Sequence, residues 1–182
     1  MVTGGAGYIG AHVVKALRDR GEPVVVLDDL TTGRADRVGD APLVRGSVLD
    51  TELVSATIRE HRVGGIIHIA AKKQVGESVE RPLYYYRENI GGLVSLLEAA
   101  TDHGVESFVF SSSSATYGMP DVDRVTEDTP AAPMSPYGET KAAGEWLARA
   151  AAEASDMRVI SLRYFNVAGA ATPELGDPGM FN

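Results

Sequence analysis

The chain has 182 residues, of which 44% are hydrophobic and 23% charged, and it carries a formal net charge of −8 and no cysteine. This composition suits one globular domain, or one domain and the start of another. It excludes disulfides and thiolate metal sites, and the acidic balance argues against a nucleic-acid surface. No apolar run approaches the roughly 18 residues of a membrane span. We therefore expect no membrane contact and a cytoplasmic location, and the scattered histidines predict no metal.

A glycine-rich turn opens the chain. Residues 1–3 lead into residues 4–10, GGAGYIG, and an apolar stripe at helical spacing follows. In a strand–turn–helix unit, Gly4 allows the tight turn, Gly7 lets the backbone approach a pyrophosphate, and Gly10 lets the helix close onto the sheet. The start of the helix then receives the phosphate charge.

The next apolar segment, Pro23–Leu27, is typical of a buried parallel strand and ends in Asp28 and Asp29. An acidic residue about 20 positions after the glycines can accept hydrogen bonds from the adenosine ribose and repels a 2′-phosphate. This position favours NAD over NADP, and the alternative is a solvated aspartate at a strand end.

Strands and helices alternate through the rest of the chain. The pattern predicts further strands at 43–44, 66–71, 108–110 and 159–163, and helices at 53–62, 82–103 and 136–154. Alternation of this kind predicts an α/β fold, a Rossmann-type doubly wound parallel sheet. We expect residues 1–166 to form an NAD-binding domain and residues 167–182 to begin a connection to a substrate-binding lobe that is largely missing.

Several polar residues fall near the predicted ligand edge of the sheet. Lys73, in a predicted loop over residues 72–78, either reaches a cofactor ribose or phosphate or is solvated. Asn89 lies among apolar positions of its helix and is either a satisfied core amide or a contact to the nicotinamide end. The serine run 111–114 is expected to break the fifth strand and to offer hydroxyls to a substrate.

The stretch from Ser135 to Lys141 carries the candidate acid/base. Ser135 is a good N-cap and Pro136 suits the first helical position, so Tyr137 and Lys141 share one helical face. A free tyrosine titrates near pH ~10, and an adjacent lysine with a bound cationic nicotinamide favours its phenolate. Tyr137 is therefore the candidate base and Lys141 the group that tunes it.

With these motifs the chain resembles the N-terminal part of the extended short-chain dehydrogenase/reductase family and, within it, the UDP-glucose 4-epimerases. The likeness rests on the glycine turn, the strand ending at Asp28, residues 68–71, Lys73 with residues 75–78, the serine run before Tyr117 and Gly118, residues 135–137 with Lys141, and residues 163–166.

The resemblance implies NAD as cofactor, a UDP-sugar as substrate, and epimerisation at C4 through a 4-keto intermediate. It implies backbone contacts from Tyr8 and Ile9 to the pyrophosphate, and a catalytic hydroxyl on Ser113 beside Tyr137. Asn166 is implied to contact the sugar nucleotide. The further positions implied to line the cofactor are Gly4, Gly7, Gly10, Asp28, Asp29, Leu30, Thr31, Thr32, Gly33, Ser47, Val48, Ile69, Ala70, Ala71, Lys73, Asn89, Tyr137, Lys141 and Phe165.

The sequence departs from the family pattern at Ser47, where the family usually has an aspartate that meets the adenine, so this contact is weakened or left to the Val48 backbone. Related dehydratases carry an Asp-Glu pair near the serine run, and serines in that place point away from dehydration. The alternatives are another sugar-nucleotide epimerase or decarboxylase, or a nucleotide-binding module without turnover. By analogy we also expect a homodimer that pairs through the helices at 82–103 and 136–154.

Overall fold

The computed structural model describes residues 1–177, and the last part of the predicted connection, residues 178–182, lies outside them. Six parallel strands form one sheet in the order β3-β2-β1-β4-β5-β6. The strands are β1 Val2–Thr3, β2 Val26–Asp28, β3 Leu43–Arg45, β4 Gly65–His68, β5 Ser107–Ser113 and β6 Arg158–Tyr164. The strand order reverses between β1 and β4, and ligands of such sheets bind at the carboxyl ends of the strands beside that reversal.

Helices connect the strands. They are α1 Tyr8–Asp19, α2 Thr51–Glu60, α3 Val75–Glu80, α4 Pro82–Tyr85, a π-helical segment Tyr86–Gly91, α5 Gly92–Asp102 and α6 Pro136–Glu153. Together with the parallel sheet they confirm the predicted α/β, Rossmann-type fold. Within residues 1–177, no helix combines the length and the apolar character needed to cross a bilayer.

Two hydrophobic clusters hold the helices on the sheet. One includes Leu27 of β2, Leu93 of α5 and Phe108 of β5, and the other includes Val26 of β2 and Val14 of α1. Because consecutive residues of a strand face opposite sides, Leu27 and Val26 place the two clusters on the two faces of the sheet. The inner strands are thus buried between layers, as expected for parallel strands, whereas the edge strand β6 is largely exposed.

The prediction of a loop over residues 72–78 is wrong in part, because residues 75–80 form α3. Tertiary hydrogen bonds support this helix: the Tyr85 hydroxyl donates to Glu77 Oε2 at 2.9 Å and accepts from the Gln74 N–H at 3.0 Å. Such partners lie in another element, so the local pattern around Gly76 does not show them.

The serine run does not break the fifth strand as predicted. Ser111, Ser112 and Ser113 continue β5, because β6 extends far enough to pair with them, with Ser113 opposite Tyr164. Pairing with β6 satisfies the backbone hydrogen bonds of these residues regardless of their side chains. Their hydroxyls remain at the carboxyl end of the sheet.

The predicted continuous helix over residues 82–103 contains the π-helical segment, which carries Asn89. Asn89 Oδ1 accepts from the Lys72 N–H at 2.8 Å, and Nδ2 donates to the Lys72 carbonyl and to Thr140 Oγ1, each at 3.0 Å. Single π turns often occur at functional positions. Here the widened turn places a buried amide between the loop after β4 and the helix α6.

The segment after β6 returns over α1. The Tyr8 hydroxyl donates to the Gly169 carbonyl, and the Ala171 N–H donates to His12 Nε2 at 3.1 Å. Further along, Arg37 Nη2 donates to the Gly176 carbonyl at 2.6 Å. These contacts place the start of the predicted connection beside the first turns of α1.

The packing of α6 on β5 depends on a glycine. A Cβ atom added to Gly144 would lie 2.5 Å from Cζ of Phe110, a buried ring. We expect Gly144→Ala to lower the free energy of unfolding by about 1–3 kcal/mol, measured by urea denaturation, because the ring or the helix must shift.

Gly76→Ala is the matched control for that substitution. Gly76 lies in α3 with no atom within 4 Å of its added Cβ, so alanine should raise the free energy of unfolding by up to about 1 kcal/mol. Equal losses in both variants would show that the contact with Phe110 is not what constrains Gly144.

Candidate functional site

The site begins at the turn between β1 and α1. Gly4 has φ +71°, and a Cβ there would lie 2.6 Å from the Ala70 nitrogen, while a Cβ on Gly10 would lie 2.0 Å from the Gly4 carbonyl oxygen. No side chain caps the start of α1 at Tyr8. The first N–H groups of the helix are therefore left to bind an anion, and the helix dipole favours one there.

Asp28 joins this turn to the end of β2. Its buried carboxylate accepts from the Ala6 N–H at 2.9 Å and from the Leu30 N–H at 2.8 Å. Leu30 has φ +58°, a conformation that costs energy for a bulky residue. The hydrogen bond from the Leu30 N–H to Asp28 stabilises this conformation. Each carboxylate oxygen keeps acceptor capacity for a hydroxyl, so Asp28 supports the turn and remains able to bind a ribose.

The other candidates for the adenosine side surround Asp28. Asp29 accepts from the Thr31 N–H at 2.8 Å, and its other oxygen is 3.8 Å from Lys72 Nζ. Thr31 and Thr32 are exposed, and Gly33 packs against Ala6. This arrangement leaves a polar, open rim beside the glycine turn.

Two candidates come from the segment after β3. The Ser47 hydroxyl accepts from the Leu49 N–H at 3.1 Å, so Ser47 shapes its own turn. Val48 packs against α5, where a Cβ on Gly92 would lie 2.7 Å from its Cγ2. The family's aspartate contact has no carboxylate counterpart at Ser47.

The candidate acid/base lies at the start of α6. Ser135 Oγ accepts from the Gly138 N–H at 3.2 Å and Pro136 is the first helical residue, which confirms the predicted start of the helix. Burial raises the pKa of Tyr137, and the hydrogen bond with Ser113 opposes this by lowering it. Burial is the stronger effect, so with the groups of this chain alone Tyr137 is a phenol at neutral pH.

Lys141 lies one helical turn further on and is almost completely buried, with 4% of its surface exposed. Its Nζ donates to the Ser111 carbonyl at 2.7 Å and lies 5.9 Å from the centroid of the Tyr137 ring and 5.1 Å from that of Phe110. Burial lowers the pKa of Lys141 to about 8. The ammonium is thus held beside Tyr137 but is easily deprotonated.

A buried polar pair beneath the site was not singled out by sequence reasoning. His68 Nδ1 is 2.7 Å from Thr3 Oγ1, and the imidazole stacks on Phe110 with 6.0 Å between ring centroids. Burial, and then the charge of Lys141, lowers the pKa of His68 to about 3. A neutral His68 therefore ties β1 to β4, and its position at the end of an apolar strand was the available signal.

The structure does not bring every candidate to the same place. Lys73 and Asn166 are exposed, and Phe165 is 60% exposed with its ring 6.4 Å from that of Tyr117. Ile69, Ala70 and Ala71, in contrast, follow β4 at the carboxyl edge, and the Ile69 and Ala70 N–H groups donate to the Thr3 carbonyl. The described residues thus assemble the glycine turn, Asp28, the segment after β4, and the Ser113–Tyr137–Lys141 group at one edge of the sheet.

Two cavities help to locate ligand space. One of about 420 Å³ lies between α1 and the returning segment, and its lining includes Tyr8 and Ile9. Another of about 710 Å³ lies at the opposite, amino-terminal edge of the sheet beside Met1 and contains none of the candidate residues. The chemistry of the chain therefore points to the carboxyl edge, and the larger cavity is unrelated to it.

A parallel sheet in this order, with an uncapped helix after a glycine turn at the strand reversal, defines a Rossmann-type nucleotide-binding domain. The chain belongs to the NAD dependent epimerase/dehydratase family, whose family model matches residues 1–181. The predicted family resemblance is confirmed, and so, at the level of the family, is NAD as the cofactor.

Individual relatives agree with this assignment. The chain is 47% identical over 173 residues to a UDP-glucose 4-epimerase of Lactobacillus helveticus, covering 94% of this chain and 52% of that one. It superposes with a TM-score of 0.91 and 42% identity on a UDP-glucose 4-epimerase from Brucella ovis in complex with NAD, covering 93% of this chain and 52% of that chain. The chain thus spans about half the length of the relatives it matches.

A more distant structure differs in its sugar. The UDP-N-acetylglucosamine 4-epimerase from Methanobrevibacter ruminantium, in complex with UDP-N-acetylmuramic acid, superposes with a TM-score of 0.86 and 30% identity, covering 98% of this chain and 57% of that one. The backbone of this half is therefore shared by epimerases named for different sugars.

The buried Lys141 predicts a pH effect on stability. Because the folded protein lowers its pKa from 10.5 to about 8, charged Lys141 destabilises the fold below about pH 8, and this cost disappears as the pH rises toward the unfolded value. Relative to Lys141→Met, the wild-type free energy of unfolding should increase by about 2 kcal/mol between pH 8 and pH 10.

Urea denaturation at pH 8, 9 and 10 measures this difference. Lys15→Met, which removes an exposed lysine from α1, is the control for the loss of a positive charge. If the difference in free energy of unfolding between wild type and Lys141→Met stays constant from pH 8 to pH 10, Lys141 is ionised throughout this range.

Proposed function

We propose that this chain is the NAD-binding half of a sugar-nucleotide epimerase that inverts C4 of a UDP-hexose, UDP-glucose or UDP-galactose. The observation that carries the proposal is the group of Ser113, Tyr137 and Lys141 at the carboxyl edge, within one domain with the uncapped start of α1. Its family membership and the names of its relatives support the same reading.

The residues present fit the cofactor. The closely packed Gly4 and Gly10 leave backbone in place of side chains at the start of α1, where a pyrophosphate binds best. Asp28 keeps acceptor capacity for a ribose and would repel a 2′-phosphate, and Ala70 and Ala71 keep the segment after β4 free of large side chains. A bound NAD would supply the hydride acceptor for C4 of the sugar and, once reduced, the hydride donor to the other face of the 4-keto sugar.

This chain's own residues handle the proton. Tyr137 takes the proton of the 4-hydroxyl as hydride leaves and gives one back after the ketone turns over, so Tyr137 must first be a phenolate. Burial alone keeps it a phenol, and the Ser113 hydroxyl favours the phenolate. A positive charge beside the ring, from Lys141 or from an oxidised nicotinamide, supplies the remaining bias.

Asn89 makes three hydrogen bonds within the protein, which favours its role as a satisfied core amide over a direct hold on nicotinamide. Its contribution is then to fix the Lys72 backbone beside the cofactor edge. Lys73 and Asn166 remain proposed contacts to the cofactor and the sugar nucleotide, respectively, and their exposure leaves them accessible for such contacts.

Two experiments test the function together. NAD titration by calorimetry measures the cofactor site, and conversion between UDP-galactose and UDP-glucose measures catalysis. Conversion supports the epimerase, and conversion by these 182 residues would overturn the alternative of a binding module. NAD binding without conversion of either sugar favours the binding module. An epimerase or decarboxylase for another sugar nucleotide is identified by turnover of that compound alone.

The roles of Tyr137 and Asp28 should separate. Tyr137→Phe should lower turnover by about 10²–10⁴-fold and leave the NAD dissociation constant within about twofold, because it removes only the proton-transfer group. Asp28→Asn should weaken NAD by about 10- to 100-fold, since it replaces a charged acceptor that also anchors the Ala6 and Leu30 N–H groups. Asp156→Asn, in the exposed turn before β6 and outside the proposed dimer segments, is the matched control away from the site, and equal losses of NAD affinity in Tyr137→Phe and Asp28→Asn would mean the roles are misassigned.

The proposal includes a homodimer that pairs through residues 82–103 and 136–154. Both segments expose large apolar side chains, with Leu83 82% and Trp146 58% exposed, and such surface favours association. Sedimentation should give twice the chain mass, and Trp146→Lys should shift the equilibrium toward monomer by about tenfold or more, while Trp146→Phe should not. A monomer at every concentration would contradict this part of the proposal.

A further inference from the structure

An ion pair joins the last strand of the sheet to the helix that carries Tyr137. Arg163 Nε donates to Glu145 Oε1 at 2.9 Å, and Arg163 Nη2 donates to Oε2 at 2.7 Å. Their side chains are only 22% and 14% exposed, respectively. A two-point bond between planar groups fixes orientation as well as distance, so β6 and α6 are held in one relative position.

The same carboxylate is also bound from β5. The Ser112 hydroxyl, with 2% of the residue exposed, donates to Glu145 Oε1, and Ser112 lies directly opposite Arg163 in the parallel ladder. Two neighbouring strands therefore bind one carboxylate of α6. We call Ser112, Glu145 and Arg163 the Glu145 clamp.

Glu145 is ionised at neutral pH in this setting. Burial favours its neutral form, but the hydrogen bonds from Arg163 and Ser112 and the charges of Arg163 and Arg149 outweigh burial and hold the pKa of the carboxyl below its usual value. The side chain of Arg163 also lies over the Tyr117 ring, 4.7 Å from its centroid. The clamp is thus complete at any pH at which Tyr137 acts.

The Glu145 clamp is adjacent to the proposed proton-transfer groups on both β5 and α6. Ser113 follows Ser112 directly on β5, and Glu145 follows Lys141 by one turn and Tyr137 by two turns on the same face of α6. Ser113 Oγ accepts from the Ala115 N–H at 3.1 Å, so its O–H remains for the hydrogen bond that lowers the pKa of Tyr137. The direction of that hydrogen bond depends on how the end of β5 sits against α6.

From this geometry we propose that the Glu145 clamp is a positioning device, which holds the Ser113 hydroxyl in line with the Tyr137 oxygen by fixing the end of β5 against α6. Glu145, Arg163 and Ser112 are then positioning residues that touch neither substrate nor cofactor. Buried ion pairs often add little net stability, because desolvation offsets their attraction. Alignment of Ser113 with Tyr137 gives the Glu145–Arg163 ion pair a role other than stability. The inference rests on the proposed function only in taking Tyr137 as the acid/base.

The test measures the ionisation of Tyr137 directly, without NAD or sugar nucleotide. The full chain is labelled with tyrosine carrying ¹³C at Cζ, and the Tyr137 signal is assigned by its absence in Tyr137→Phe. Its ionised fraction is followed over the alkaline range in which the circular dichroism signal remains native. Ser113→Ala shows how far the titration moves when the hydrogen bond is gone, by about half to one pH unit upward.

Arg163→Lys and Ser112→Ala, which leave both charges of the ion pair in place, should move the Tyr137 titration upward, by up to the Ser113→Ala shift. Arg163→Lys keeps the charge but not the two-point bond, so a shift there identifies geometry as the cause. Combined with Ser113→Ala, neither substitution should add a further shift, because the hydrogen bond they align is absent. Glu153→Gln, which removes an exposed carboxylate from the same helix, should leave the titration unchanged.

An unchanged Tyr137 titration in folded Arg163→Lys and Ser112→Ala would overturn the proposal, as would a shift that persists in the Ser113→Ala background. A purely structural role would lower the melting temperature without moving the titration. If Arg163→Lys does not fold, Ser112→Ala decides alone, and no shift there overturns the proposal. Failure of NAD binding or turnover in the wild type would count against the proposed function and would leave this measurement as it stands.

Discussion

The absence of a side chain on Gly10 decides where the first helix can lie. A single methyl group there would fall 2.0 Å from the Gly4 carbonyl oxygen, so any larger residue pushes α1 away from the end of β1. With glycine at both positions the helix begins directly over the sheet, with its uncapped N–H groups at the strand reversal. Around that point lie Asp28, the segment after β4 and the start of α6. A shift of α1 would change the distance from its N–H groups to each of them.

Burial disfavours the charged forms of both Tyr137 and Lys141. It lowers the pKa of Lys141 and raises the pKa of Tyr137, so it disfavours the ammonium and the phenolate alike. The protein itself does not stabilise a separated pair of charges at this edge, although it holds the two groups close and supplies a hydroxyl from Ser113. The charges of incoming ligands therefore have the largest influence on which protonation state is populated.

Local patterns sufficed for much of the fold. The glycine turn, the Ser135 cap with Pro136, and the alternation of apolar strands and helices each depend on residues a few positions apart, and the structure contains them all. The start of α2 is equally local, because the Asp50 side chain accepts from the Leu53 N–H at 3.0 Å and caps the helix. Two strand bounds were wrong: β4 ends at His68 instead of residue 71, and β2 begins at Val26 instead of Pro23.

The features that sequence reasoning missed depend on partners far along the chain. Helix α3, the π turn at Asn89 and the extension of β5 through Ser113 are all fixed by hydrogen bonds to other elements. The bond from Ser112 and Arg163 to Glu145 required the register of two strands, although the spacing of Glu145 from Tyr137 and Lys141 already placed it on their helical face. The candidate residues themselves were found by type and spacing, and their roles await the variants.

One contact of the returning segment also defines a tautomer. His12 Nδ1 lies 2.8 Å from the Tyr8 carbonyl oxygen, which can only accept, and His12 Nε2 receives the Ala171 N–H, which can only donate. These two hydrogen bonds select the tautomer that carries its proton on Nδ1. The His12 ring accordingly joins the first turn of α1 to the returning segment, donating to the Tyr8 carbonyl on one side and accepting the Ala171 N–H on the other.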